Sequence, residues 1–95
     1  MPWYRVTYQP SILDDLQSTD RGMAQRLLDK TKWLASNVAN LRHEPLDDDL
    51  PGLVQYAVED WRILYSIDQD EHVVHIHRIA TRQKLYANRT AHQDL

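Results

Sequence analysis

Hydrophobic and polar positions set the first expectations. From Trp3 to Tyr8 aromatic and β-branched residues interleave with Arg5 and Thr7, a period of two that predicts a strand with one buried face. Pro10 and Ser11 stop this strand and offer a helix start, so residues 11–18 (SILDDLQS) read as a short helix. From Asp20 the period lengthens. Met23, Leu27, Leu34, Val38 and Leu41 recur at three-, four- and seven-residue intervals, which marks one stripe of a helix over about residues 20–39. Asp20 is a suitable N-cap for it, and Gly22 in its first turn is a small cost. Two helices joined by a tight turn make a helical hairpin.

Residues 42–52 (RHEPLDDDLPG) carry two prolines, a glycine and three consecutive aspartates, and read as a connector without an element of its own. Period two then returns in three runs, residues 53–58, 61–68 and 72–80. The stretches between them, Glu59-Asp60 and residues 69–71, are short enough for hairpin turns, so the three runs predict an antiparallel meander. Residues 82–89 close with a helical turn, and about 88–95 form a loose tail.

A helical stripe has to bury itself, and the apolar face formed by Val54, Tyr56, Val58, Ile63, Tyr65 and Ile67 is the surface available. The predicted fold is a two-layer α+β domain spanning 1–95. In it an N-terminal strand and a helical hairpin pack on one face of a mainly antiparallel sheet of about four strands. Arg62 then occupies the other face, in the middle of the best strand.

Composition narrows the function classes. The chain is 42% hydrophobic and lacks cysteine, which removes disulfides and thiolate metal sites and fits a reduced intracellular setting. No apolar stretch approaches 18 residues, and no basic-then-apolar leader or lipidation signal is present. These features predict a cytoplasmic protein that does not enter membranes.

The net charge of −3 argues at first against a polyanionic partner. However, residues 42–60 hold six acids and one base, which leaves ten bases and eight acids elsewhere, so a local basic patch is possible. The run HVVHIH (72–77) places His75 and His77 on one strand face and His72 on the other if the strand is regular. Two ligands without a third make a poor zinc site, and the triple aspartate reads as a solvated loop, so no metal is expected.

Several short motifs in fixed order carry a resemblance: Pro45-Leu46 and Gly52 before the hairpin, then Asp60-Trp61-Arg62-Ile63-Leu64-Tyr65, then Arg82 and Tyr86. Over roughly residues 3–86 the chain resembles the RelE/ParE toxins of bacterial type II toxin–antitoxin modules. RelE-like and YoeB-like members of that family cleave mRNA in the ribosomal A site, whereas ParE-like members poison DNA gyrase.

The RelE-like resemblance implies a cofactor-free endoribonuclease in which the ribose 2′-hydroxyl attacks the adjacent phosphate. By this resemblance Arg62 and Arg82 stabilise the charge that grows on the phosphate oxygens, a role that suits a permanently charged, forked donor. Tyr86 matches the functional tyrosine of the RelE-like subgroup. Glu44, just before Pro45-Leu46, matches the YoeB-like glutamate and is the expected general base. Lys84, Arg78 and His77 are the expected RNA contacts, His77 through local positive charge at mildly acid pH.

The chain departs from the ribonuclease pattern where Gln55, Ala57 and Asp47 to Asp49 stand at positions that are usually basic. The partners implied are a cognate antitoxin, forming a toxin–antitoxin hetero-oligomer, and the ribosome with its mRNA. The alternatives are a gyrase inhibitor and a degenerate member that keeps only antitoxin binding.

Overall fold

The computed structural model describes residues 3–46 and 52–85. Its elements are β1 (Arg5–Tyr8), α1 (Ile12–Gln17), α2 (Arg21–Ser36), a 3-10 turn (Val38–Asn40), β2 (Glu44–Pro45), β3 (Val54–Val58), β4 (Trp61–Asp68) and β5 (Val73–Thr81). They form a five-stranded sheet in the order β1-β5-β4-β3-β2. Only β1 and β5 run parallel; the other three pairings are antiparallel, so the α+β reading and the meander are both present.

Each expected helix forms for the reason its pattern gave. The carboxylate of Asp20 accepts from the Met23 N–H at 2.8 Å and caps α2. The α2 stripe delivers Leu27 and Leu34 to the core, and Val38 follows from the 3-10 turn. They meet Val58, Ile63 and Tyr65 from the sheet, while Val54, Tyr56 and Ile67 pack at the margin. The helical hairpin therefore covers one face only.

The sheet has five strands where about four were expected. The extra one is β2, a two-residue pairing of Glu44 with Gln55 and of Pro45 with Val54, closed by the Leu46 N–H on the Leu53 carbonyl at 3.0 Å. So short an element has no period to read, and a proline is tolerated because β2 lies at the sheet edge. The segment taken for a featureless connector thus delivers Glu44 to the sheet.

A second departure lies in β5. Leu64 pairs with Arg78 but Tyr65 pairs with Ile76, so His77 is the extra residue of a β-bulge. The bulge resets side-chain parity. Val74 and Ile76 face the core before it and Ile79 faces the core after it. A regular strand would have pointed Arg78 inward instead.

Beyond the end of β1 the backbone of β5 needs another partner, and α1 supplies it. Asp15, buried at 8% exposure, accepts from the Ile79 N–H at 3.0 Å through Oδ2. A buried carboxylate thus protects a sheet edge that β1 is too short to cover.

Candidate functional site

The face of the sheet turned away from the helical hairpin is a grid whose rungs follow from strand register. One rung is Ala57, Arg62 and Ala80; the next is Glu44, Gln55, Leu64 and Arg78. A third places Ser66 beside His75 and Thr7. Leu64, Ala80 and Leu85 are buried although they lie outside the core cluster, so this face has a small apolar floor of its own.

Arg62 is half-buried, with an alanine on each side. Its Nη1 donates to the carbonyls of Glu59 and Trp61, each at 2.9 Å. Two carbonyls at the start of the hairpin thus hold the guanidinium by one nitrogen. Among the described residues no other group takes up Nε or Nη2. What remains is a fixed cation whose leftover N–H groups are available to an oxyanion.

Arg82 follows closely. Its N–H donates to the Asp60 carbonyl at 2.8 Å, which extends the β4–β5 ladder by one bond. Arg62 pairs with Ala80, so Arg82 comes two residues after the strand partner of Arg62, where the chain leaves β5. Residues 82–85 then turn helical, with Thr81 Oγ1 accepting from the Lys84 N–H at 3.3 Å, and Lys84 is exposed. Tyr86 lies outside the described residues, as do Asp47 to Asp49.

Glu44 shares the outer face and is exposed. Two strand spacings and two residues of rise separate it from Arg62, about 12 Å at Cα. The Arg62 guanidinium turns toward the Glu59 and Trp61 carbonyls, on the far side of Arg62 from the rung that carries Glu44. A cleft of about 410 Å³ lined by Arg42, His43, Glu44 and Pro45 opens on this side.

The other expected RNA contacts sit further along the sheet. Arg78 leans toward α1, with Nε 3.9 Å from Asp15 Oδ1. His77 hydrogen-bonds Ser66 Oγ through Nε2 at 2.8 Å, and His75 pairs with Thr7. Burial, and then the charge of His75, lower the proton affinity of His77 below the ordinary imidazole value. This works against a standing positive charge there. Among the described residues no three His, Asp or Glu side chains gather as a metal site, and no helix is long and apolar enough to cross a membrane.

Sequence reasoning did not single out His43. Its ring lies half-buried between the 3-10 turn and β4, bonded to Tyr65 Oη at 2.7 Å and to the Val38 carbonyl at 2.9 Å. A signal was present, because a tyrosine on the buried face of a strand needs a partner for its hydroxyl.

Comparison with known proteins adds a family and a fold. The family model described as ParE toxin of type II toxin–antitoxin system, parDE, matches residues 4–86. The toxin–antitoxin complex RelBE2 from Mycobacterium tuberculosis superposes with a TM-score of 0.76 at 23% identity, covering 86% of this chain and 94% of that one. The archaeal RelE–RelB complex from Pyrococcus horikoshii gives a TM-score of 0.63 at 23% identity, covering 86% and 97%. A YoeB/ParE toxin from Agrobacterium tumefaciens gives 0.65 at 18% identity, covering 82% and 98%. A comparison with curated proteins finds no match.

Proposed function

We propose a function that starts from one fact: the chain belongs to the family of ParE toxins of type II toxin–antitoxin systems. Within that role we propose that it is an mRNA endoribonuclease working on the ribosome in the cytoplasm, and that a cognate antitoxin masks its open sheet face. The observation that carries this reading is Arg62, held through Nη1 by two carbonyls with its other N–H groups unclaimed among the described residues.

The chemistry follows from that placement. The ribose 2′-hydroxyl attacks the adjacent phosphorus, a cyclic phosphate forms, and the 5′-oxygen departs. Negative charge grows on the non-bridging oxygens, which the Arg62 and Arg82 guanidinium groups are proposed to receive. A preorganised donor of this kind is worth about 3–4 kcal/mol of transition-state stabilisation. Glu44 is the proposed acceptor of the 2′ proton. Tyr86 is the proposed donor to the leaving oxygen, and Lys84, Arg78 and His77 are proposed to contact the flanking backbone.

The alternating strand of this face offers Gln55 and Ala57 rather than cations. The chain alone therefore grips phosphates weakly, and the ribosome has to supply orientation. The same paucity of cations favours a second reading, a gyrase inhibitor that binds without chemistry.

Induced expression with mapping of mRNA 5′ ends separates the two. Cuts within codons of translated messages that disappear in Arg62→Ala and Arg82→Ala support the nuclease. Intact messages with a DNA-damage response support gyrase inhibition.

A further inference from the structure

We infer that His43 is a positioning residue for Glu44: it holds the edge strand carrying the candidate base at a set distance from the strand carrying Arg62. This inference deepens the ribonuclease reading and rests on it for its purpose.

The geometry leaves the neutral imidazole one arrangement. A carbonyl only accepts, so the Val38 carbonyl at 2.9 Å requires a proton on Nε2. Tyr65 is 1% exposed, and burial pushes its phenol up to about 12, so the hydroxyl stays protonated. In the neutral ring Nδ1 then carries no proton, so that hydroxyl donates to it at 2.7 Å. The two rings meet edge to face with centroids 5.7 Å apart. A neutral His43 is thus the Nε2–H tautomer, bonded at both nitrogens.

Its place in the chain gives this clamp its consequence. His43 immediately precedes Glu44, and Tyr65 lies three residues after Arg62 on β4. β2 is only two residues long, one of them a proline without an N–H, and the Leu46–Leu53 bond closes it. So short an edge pairing holds position poorly by itself. Two routes therefore join Glu44 to Arg62: across the open face through Gln55, and through the protein interior by way of His43 and Tyr65. The second route is the stiffer, because its end at Tyr65 lies in the packed core. A displacement near 1 Å at a proton acceptor costs up to about 100-fold in rate.

The test uses the full chain with ¹⁵N-labelled histidine and two readouts. By NMR, His43 should show a protonated Nε2 and an unprotonated Nδ1 at neutral pH. The Leu46 amide should exchange with solvent at least about tenfold faster in His43→Ala, while the Val74 and Ile76 amides keep their protection. His43→Gln, which can accept from Tyr65 and donate to Val38, should restore most of it. Tyr65→Phe keeps the packed ring, removes one bond and should give the same direction if His43→Ala fails to fold.

In cleavage of ribosome-bound mRNA, His43→Ala should lower kcat by about 10- to 100-fold with KM unchanged. It should add nothing further in a Glu44→Gln background. Unchanged Leu46 exchange in His43→Ala and Tyr65→Phe, or losses that multiply with Glu44→Gln, would overturn the inference. Faster Leu46 exchange in a chain that cuts no RNA would defeat the ribonuclease reading and still uphold His43 as the holder of β2.

Discussion

The two faces of β4 are built under opposite rules. Inward, Ile63 and Tyr65 are sealed against Leu27, Leu34 and Val38. Outward, Arg62 and Ser66 stay half-buried beside Ala57, Ala80 and a row of hydrogen-bonded histidines. The inner face contributes most of the folding free energy, at roughly 25 cal/mol per Å² of apolar area buried. The outer face buries a smaller apolar floor, Leu64, Ala80 and Leu85, and holds the groups able to meet a phosphate. Folding and action are therefore separable by single substitutions one residue apart.

That separation can be broken first at Arg62 and Ile63. Arg62→Ala should reduce mRNA cleavage about 100- to 1000-fold, while chemical denaturation shows a loss under about 1.5 kcal/mol. Ile63→Ala should do the reverse, costing about 2–5 kcal/mol in urea unfolding while the folded fraction still cuts. A substitution that moved both quantities together would show that the faces are coupled.

Two further substitutions probe the supports of the covered face. Asp15→Ala leaves the buried Ile79 N–H without its acceptor and should cost about 1–3 kcal/mol by thermal or urea unfolding. Asp20→Ala removes only the cap of α2 and should cost about 1 kcal/mol by the same measurement.

The smallest expected effect is on the outer face, at His77. Its proton affinity in the folded chain lies below the ordinary imidazole value, so the unfolded chain takes up the proton first. The contribution is intact above about pH 6.5 and is lost as pH falls through the lowered folded value. His77→Gln should flatten the dependence of the urea midpoint on pH between about 5 and 7.

The same contrast explains what could be read in the chain before its coordinates. The covered face was legible because burial imposes a period: Met23 to Leu41 at helical spacing, and Ile63, Tyr65 and Ile67 at strand spacing. The helical hairpin, the meander and the one-sided packing all follow from it. β2 was not legible, since two residues carry no period and Pro45 reads as a breaker. The bulge at His77 leaves a trace in the sequence: Val74, Ile76 and Ile79 break strict alternation, and only an extra residue returns Ile79 to the core.

The outer face obeys no such rule. Arg62 stood out because a cation interrupts an apolar strand. Arg82 and Glu44 were found by resemblance alone; register puts Glu44 on the face that carries Arg62, and the Arg82 N–H extends the β4–β5 ladder by one bond. His43 belongs to neither pattern, since it lies in an irregular segment and serves a tyrosine 22 residues away.

The central claim is that the open face of β4 performs phosphate chemistry through Arg62. Single-turnover cleavage of mRNA on programmed ribosomes, comparing purified wild type with Arg62→Lys, tests it most directly. A lysine keeps the charge but lacks the fork that two carbonyls hold in place. If Arg62 acts on the phosphate, the wild type makes codon-internal cuts and the lysine variant cuts about 100-fold more slowly at unchanged thermal stability. Equal rates for the two proteins, or intact mRNA with the wild type, would contradict it.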